Sequence, residues 1–215
     1  MSENLPIDHL RCDYNREPLV EAQLDPDPVK QFRLWFEEAR TAGIPEPNAL
    51  TLGTADRSGK VACRTVLLKA YDERGFVFFT NYGSRKARHI AENPRASLLF
   101  PWVALARQVE VAGIVEKVSL AESLAYFISR PFGSRLGAWV SDQSAVISSR
   151  QILLAKYEEL KRKFSDGEVP MPEGWGGYRV VPESVEFWQG GHDRLHDRFL
   201  YERDGSGWKI SRLAP

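Results

Sequence analysis

The sequence predicts a mainly β protein with helices (α+β), built on an antiparallel barrel or strongly curled sheet. Three observations carry that expectation. Six or more short apolar runs are separated by hairpin-type turns such as Asp56-Arg-Ser-Gly-Lys60 and Asp72-Glu-Arg-Gly75. The strand–helix–strand spacing of a parallel doubly wound sheet is missing. No GxGxxG or P-loop pattern occurs, so neither usual nucleotide cradle is available.

Residues 1–24 show no clear period and read as an N-terminal arm, in which Arg11 and Tyr14 suggest an active-site lid. Residues 25–215 read as a single domain. Asp25-Pro-Asp-Pro28 opens a helix, because proline is tolerated in the first turn; Val29, Phe32, Phe36 and Ala39 follow at helical spacing, and Gly43 ends it. Strands are expected over Ala49–Ala55, Val61–Tyr71 and Phe76–Thr80. Ser84 caps a short helix that stops at Glu92, before Pro94. Two strands follow, Ala96–Leu105 and Gln108–Val118. Ser119-Leu-Ala-Glu122 is a capping box, starting a helix that runs to Arg130 and stops at Pro131. Ile152, Leu153, Tyr157, Leu160 and Phe164 mark a longer helix. A Gly/Pro-rich connection over 165–177 leads to strands at about 178–189 and 196–203, and a last strand runs through Ile210.

The 215 residues are 43% hydrophobic and 27% charged, which excludes a disordered or collagen-like chain. Twenty-nine basic side chains balance twenty-nine acidic ones, so no global field draws the protein to nucleic acid or an anionic membrane; any anion must be caught by a local cluster. Only Cys12 and Cys63 occur, at a spacing that fits neither a disulfide framework nor a metal knuckle. The N-terminus is too polar for a signal peptide, and the most apolar stretch, Ala96–Ala106, is short and holds Pro101. A cytoplasmic location is expected.

Four clusters could carry chemistry. In Arg194-Leu-His-Asp-Arg198, a strand would point Arg194, His196 and Arg198 to one face, where three potential cations call for an anion; Trp188 and Gly190-Gly191 adjoin. A solvated edge strand would show the same pattern. His192 and His196 could not share a metal on a strand, since four residues span roughly 13 Å, and no third ligand is evident, so no metal site is expected. In Asn81-Tyr-Gly-Ser-Arg-Lys86, Arg85 and Lys86 oppose the dipole at a helix N-terminus unless a phosphate sits there; a frayed surface turn would show the same residues. Arg64-Thr-Val-Leu-Leu-Lys69 puts a cation at each end of an apolar run. Tyr126 and Arg130 meet at i, i+4, and Ser134 follows the proline break: a phosphate grip, or a helix end packing on a loop. Without a Ser–His–Asp or Cys–His nucleophile, the clusters favour cofactor-borne chemistry on phosphorylated small molecules.

RTVLLK at 64–69, FTNYGSRK at 79–86, RQVEV at 107–111, YFISRPFGS at 126–134, SDQSAVISSR at 141–150, FWQGG with RLHDR at 187–198 and the ending LAP resemble the pyridoxine 5′-phosphate oxidase family. The motifs are long, occur in the family's order and cover nearly the whole chain. The resemblance implies an FMN-binding split β-barrel, a homodimer with FMN at the subunit interface. It implies oxidation of pyridoxine 5′-phosphate or pyridoxamine 5′-phosphate to pyridoxal 5′-phosphate, with O2 as acceptor and H2O2 released. By the same resemblance Arg64, Thr65, Val66, Leu67, Leu68, Lys69, Phe79 and Thr80 line FMN, and Arg85 and Lys86 hold its phosphate. Gln108, Gln143, Ser144, Trp188 and Arg198 complete the flavin pocket. Lys69, Tyr126, Arg130 and Ser134 grip the substrate phosphate. Arg194, Leu195 and His196 cover the substrate ring, with Arg194 and His196 nearest the reacting carbon, and Arg11 and Tyr14 close over it.

Overall fold

The computed structural model describes Leu10, Asp13, Tyr14 and residues 16–215; Arg11 lies outside the described residues. Among the described residues the five α-helices are α1 (Pro28–Thr41), α2 (Arg85–Glu92), α3 (Leu120–Ser129), α4 (Phe132–Val140) and α5 (Arg150–Lys163). The nine strands among them are β1 (Ala49–Ala55), β2 (Val61–Leu67), β3 (Ala70–Asp72), β4 (Gly75–Asn81), β5 (Arg95–Trp102), β6 (Arg107–Lys117), β7 (Trp175–Gln189), β8 (Asp197–Asp204) and β9 (Gly207–Leu213). The sheet order is β2-β1-β5-β6-β7-β4-β3, with β8 on β7 and β9 on β8. Among the described residues no helix is long and apolar enough to cross a membrane.

The chain divides into two units, residues 1–47, 101–110 and 184–215 in the first, and 48–100 and 111–183 in the second. In the first, Asp27 caps α1 by accepting from the Val29 N–H, ahead of a proline at the first helical position. The buried face of α1 puts Trp35 edge-on to Phe187 (5.2 Å), which in turn meets Tyr201 (5.3 Å). Fully burying each such ring contributes on the order of 2–3 kcal/mol. Residues 16–24, which show no period, are nonetheless tied down. The Leu19 N–H donates to Asp197 Oδ2 (2.8 Å), Arg16 donates to the Leu105 carbonyl (2.7 Å), and Leu19 itself is buried.

In the second unit β1 pairs antiparallel with β2 and β5, and β4 with β3 and β7. The single strand expected over Val61–Tyr71 is two strands. β2 ends with Leu67 opposite Ala49, and β3 begins with Ala70 opposite Val77. Between them the Leu68 N–H goes to Asn48 and the Lys69 N–H to Val77, so the chain changes neighbours at this corner. Both predicted caps form: Ser84 accepts from the Ala87 N–H, and Ser119 and Glu122 make the reciprocal box. Helix α4, which the sequence analysis leaves unassigned, follows Pro131 and joins Phe127, Leu136, Leu160, Val169 and Trp175 in one apolar cluster. Buried Arg179 bridges Asp72 (2.7 Å) and Glu122 (2.9 Å) under the cap of α3.

Candidate active site

At the start of α2 the structure gathers cations that have no carboxylate partner among the described residues. Lys86 is 8% exposed. Its Nζ donates to Gln143 Oε1 (2.7 Å) and Thr80 Oγ1 (3.1 Å). Burial, reinforced by Arg64 and Arg85, pushes its ammonium down from 10.5 to about 8. Arg64 donates through Nη1 to Thr54 Oγ1 (2.7 Å) and the Leu52 carbonyl, while its buried Nη2 has no partner. Burial and Arg85 lower its pKa as well. Ser84 fixes the helix start, and the Arg85 N–H donates to Ser144 Oγ (3.3 Å). Three mutually repelling cations gathered at a helix N-terminus, with no carboxylate among the described residues to offset them, suit a receptor for an anion.

A cavity of about 500 Å³ opens from this point. It is lined by Thr65, Val66, Leu67, Lys69, Phe79, Thr80, Lys86, Gln143, Tyr126, Arg130 and Ser134. The two groups read separately in the sequence, a flavin wall and a phosphate grip, thus share one space. Tyr126 stacks on Phe79 with ring centroids 4.1 Å apart. Arg130 lies over the Trp175 ring (4.8 Å), its buried Nη1 without a partner and its pKa lowered by burial. Leu68 is buried in the chain crossing and is absent from the lining.

A second cavity, in the first unit, is lined by Leu10, Asp13, Tyr14, Trp188, Gly191, Asp193, Arg194 and His196. Tyr14 meets Trp188 edge-on (5.9 Å) and His196 (6.0 Å). Gly190 is required there, since a Cβ on it would stand 2.6 Å from the Tyr14 ring. The Gly191 N–H donates to His196 Nδ1 (3.2 Å), so the neutral ring carries its proton on Nε2.

The strand expected through Arg194-Leu-His-Asp-Arg198 is a correction. Residues 192–194 form a 3₁₀ turn, Asp193 and Arg194 have φ of 50° and 65°, and β8 begins only at Asp197. Arg194, His196 and Arg198 therefore do not share a strand face. The extended spacing used to separate His192 from His196 does not apply either, although among the described residues no group of three metal-ligating side chains occurs. Arg198 is held by Glu186 through Nε (2.8 Å) and Nη2 (3.1 Å), and by the Ala214 carbonyl. Leu195 is exposed, Gln108 sits on β6, and neither lines these two cavities. Sequence reasoning missed Trp175, Asn81, Pro131, Gly137, Ala138 and Ser141 in the first cavity. Trp175 fell inside the stretch read as a connection, where an aromatic beside Gly176-Gly177 was the available signal.

Comparison with known proteins accords with this geometry. A family model described as pyridoxamine 5′-phosphate oxidase matches residues 36–164, and one described as pyridoxine 5′-phosphate oxidase C-terminal dimerisation region matches 175–215. A pyridoxine/pyridoxamine 5′-phosphate oxidase of Aliarcobacter butzleri (strain RM4018) is 55% identical over 212 residues, 98% of this chain and 100% of that one. The protein of the same name from Burkholderia mallei (strain SAVP1) is 57% identical over 209 residues, 96% of this chain and 97% of that one. The crystal structure of PhzG from Burkholderia lata 383 in complex with tetrahydrophenazine-1-carboxylic acid superposes with a TM-score of 0.86 at 32% identity, covering 93% of this chain and 98% of that one. A pyridoxamine 5′-phosphate oxidase-related, FMN binding protein from Nostoc punctiforme PCC 73102 has a TM-score of 0.69 at 18% identity, covering 90% and 99%, and shares the fold. The antiparallel split β-barrel with peripheral helices expected from the sequence is the fold class found. The chain belongs to the pyridoxine/pyridoxamine 5′-phosphate oxidase family.

Proposed function

We propose that this protein oxidises pyridoxine 5′-phosphate or pyridoxamine 5′-phosphate to pyridoxal 5′-phosphate, using FMN, with O2 as acceptor and H2O2 released. It works as a homodimer with FMN at the subunit interface, in the cytoplasm, supplying the active form of vitamin B6. The observation that carries the reading is one cavity lined by Lys86, Lys69 and Arg130, cations with no ion pair to any described residue, with Arg64 and Arg85 close enough to Lys86 to lower its pKa. The partnerless Arg64 Nη2 and the depressed Lys86 ammonium fit the FMN phosphate. Thr65, Val66 and Leu67 with Phe79 offer the wall along which its ring system would lie.

FMN, when bound, supplies the hydride acceptor. The chain's own part is placement. Arg130, Lys69, Tyr126 and Ser134 bind the substrate phosphate and fix the reacting carbon at contact distance. Arg194 orients the substrate ring and stabilises negative charge that develops on it. His196 contributes its Nε2 proton as a hydrogen-bond donor, because Nδ1 is already engaged by Gly191; it positions the substrate and is not an obligatory base. Tyr14 and Trp188 shield that ring from water. FMN-loaded protein supplied with pyridoxine 5′-phosphate should produce one H2O2 per pyridoxal 5′-phosphate. A preparation that binds FMN and pyridoxal 5′-phosphate without forming peroxide would make it a carrier and refute the reading.

A further inference from the structure

We propose that Trp175 is a positioning residue for the substrate phosphate, acting through Arg130. The proposal rests on the reading of Arg130 as part of the phosphate grip. Arg130 forms no ion pair with any described residue, and its buried Nη1 has no hydrogen-bond partner. What it does have is aromatic surface: its Cζ lies 4.8 Å from the Trp175 ring and 5.6 Å from the Phe127 ring. Trp175 is 7% exposed and opens β7 opposite Asn81. Its ring is locked by Phe79 nearly parallel to it (5.4 Å, 12°) and by Phe127 edge-on (5.2 Å, 69°). The indole is thus a fixed support whose orientation Arg130 does not have to create.

The choice of an aromatic support has a chemical consequence. A carboxylate would hold the guanidinium by consuming its N–H donors and cancelling its charge. A ring face attracts the cation from outside the guanidinium plane and leaves the in-plane donors open. Arg130 is thereby kept in place, charged and unsaturated, at the wall of the cavity where a phosphate would meet it. Trp175 also lines that cavity, which gives it a direct view of the event.

The test is equilibrium binding of pyridoxal 5′-phosphate and of pyridoxal to the FMN-loaded dimer, without turnover. Arg130→Ala should reduce the preference for the phosphorylated ligand. Trp175→Leu should reduce it by about tenfold, between the sizes of an exposed and a fully desolvated cation–ring contact, with pyridoxal binding little changed. Trp175→Phe should preserve most of it. In an Arg130→Ala background, Trp175→Leu should have no further effect on the preference. Equal weakening of both ligands by Trp175→Leu, or a full additional effect without Arg130, would overturn the proposal. If Arg130→Ala leaves the preference intact, the underlying reading of Arg130 fails and the proposal with it. If only Trp175→Leu leaves it intact, the proposal fails alone. Should Trp175→Leu not fold, the wild type and Trp175→Phe decide the matter by fluorescence. Inorganic phosphate should change tryptophan emission in the FMN-loaded wild type and not in Trp175→Phe, and identical responses would overturn the proposal.

Discussion

Lys86→Met should cost the protein its hold on FMN, and the loss should depend on pH. Lys86 is buried, pushed down to about 8, and surrounded by Arg64, Arg85 and neutral acceptors. A hydrogen bond from a charged donor to a phosphate contributes about 1.5–3 kcal/mol, so FMN affinity should fall roughly 10- to 100-fold at pH 7. FMN at a hundred times its Kd stabilises the wild type by about 2.7 kcal/mol, and a hundredfold weaker Kd would leave about 0.4 kcal/mol. The pH dependence follows from the sign of the shift. Free Lys86 releases its proton as pH rises through about 8, whereas a bound phosphate dianion holds it on. Binding therefore takes up a proton above that pH, and wild-type affinity at pH 9 should be about tenfold weaker than at pH 7. Lys86→Met should show a flat profile. The apoprotein should gain stability over the same rise, since the unfolded lysine binds protons up to about 10.5 and the folded one does not. Fluorescence titration of apoprotein with FMN, and with riboflavin as control, measures the affinities, and thermal melts of the apoprotein from about pH 7 to 9 measure the stability change. A wild-type FMN affinity that is constant from about pH 7 to 9, or a riboflavin curve that follows it, would refute the assignment of the three cations.

Arg130→Ala should lower catalytic efficiency for pyridoxine 5′-phosphate by roughly 10- to 100-fold while leaving unphosphorylated pyridoxine nearly unchanged; steady-state kinetics on both substrates checks it. Arg194→Ala should damage turnover more than FMN binding, and Arg198→Ala the reverse, because Arg198 is fixed by Glu186 and Arg194 opens into a cavity. Flavin titration beside turnover separates the two, and equal flavin loss in both would contradict the roles. Ser119→Ala should destabilise the protein by about 1 kcal/mol near neutral pH by removing the α3 cap. Glu122 is held below its ordinary value by the Ser119 N–H and hydroxyl, so the stability it lends is present at neutral pH and is lost as pH falls through the acid range. Thermal melts of the two proteins should draw closer as the pH falls without converging, because the Glu122 N–H still donates to the Ser119 Oγ of the wild type when the carboxyl is protonated.

The elements with local signals were legible in the sequence. Asp27-Pro28, Ser84 and Ser119–Glu122 announce α1, α2 and α3 because caps act within one turn. The corner at Leu68-Lys69 was hidden, because no glycine, proline or other turn residue marks the change of partner strand. The turn at 192–194 was hidden for a different reason: Asp193 and Arg194 adopt positive φ, which their residue types do not advertise. The period-2 reading of Arg194-Leu-His-Asp-Arg198 therefore misled on how these side chains are carried, although Arg194 and His196 still line one cavity. Trp175 escaped because its partners, Phe79, Tyr126 and Arg130, are distant in sequence.

The central claim is that pyridoxine 5′-phosphate gives up a hydride on this protein's FMN. An anaerobic single-turnover experiment tests it most directly. Stoichiometric pyridoxine 5′-phosphate should bleach the flavin absorbance and yield one pyridoxal 5′-phosphate per FMN, and admitting air should restore the colour with one H2O2. Unphosphorylated pyridoxine at the same concentration should leave the spectrum nearly unchanged. A flavin that stays oxidised with pyridoxine 5′-phosphate and pyridoxamine 5′-phosphate, in protein shown to bind both, would contradict the account.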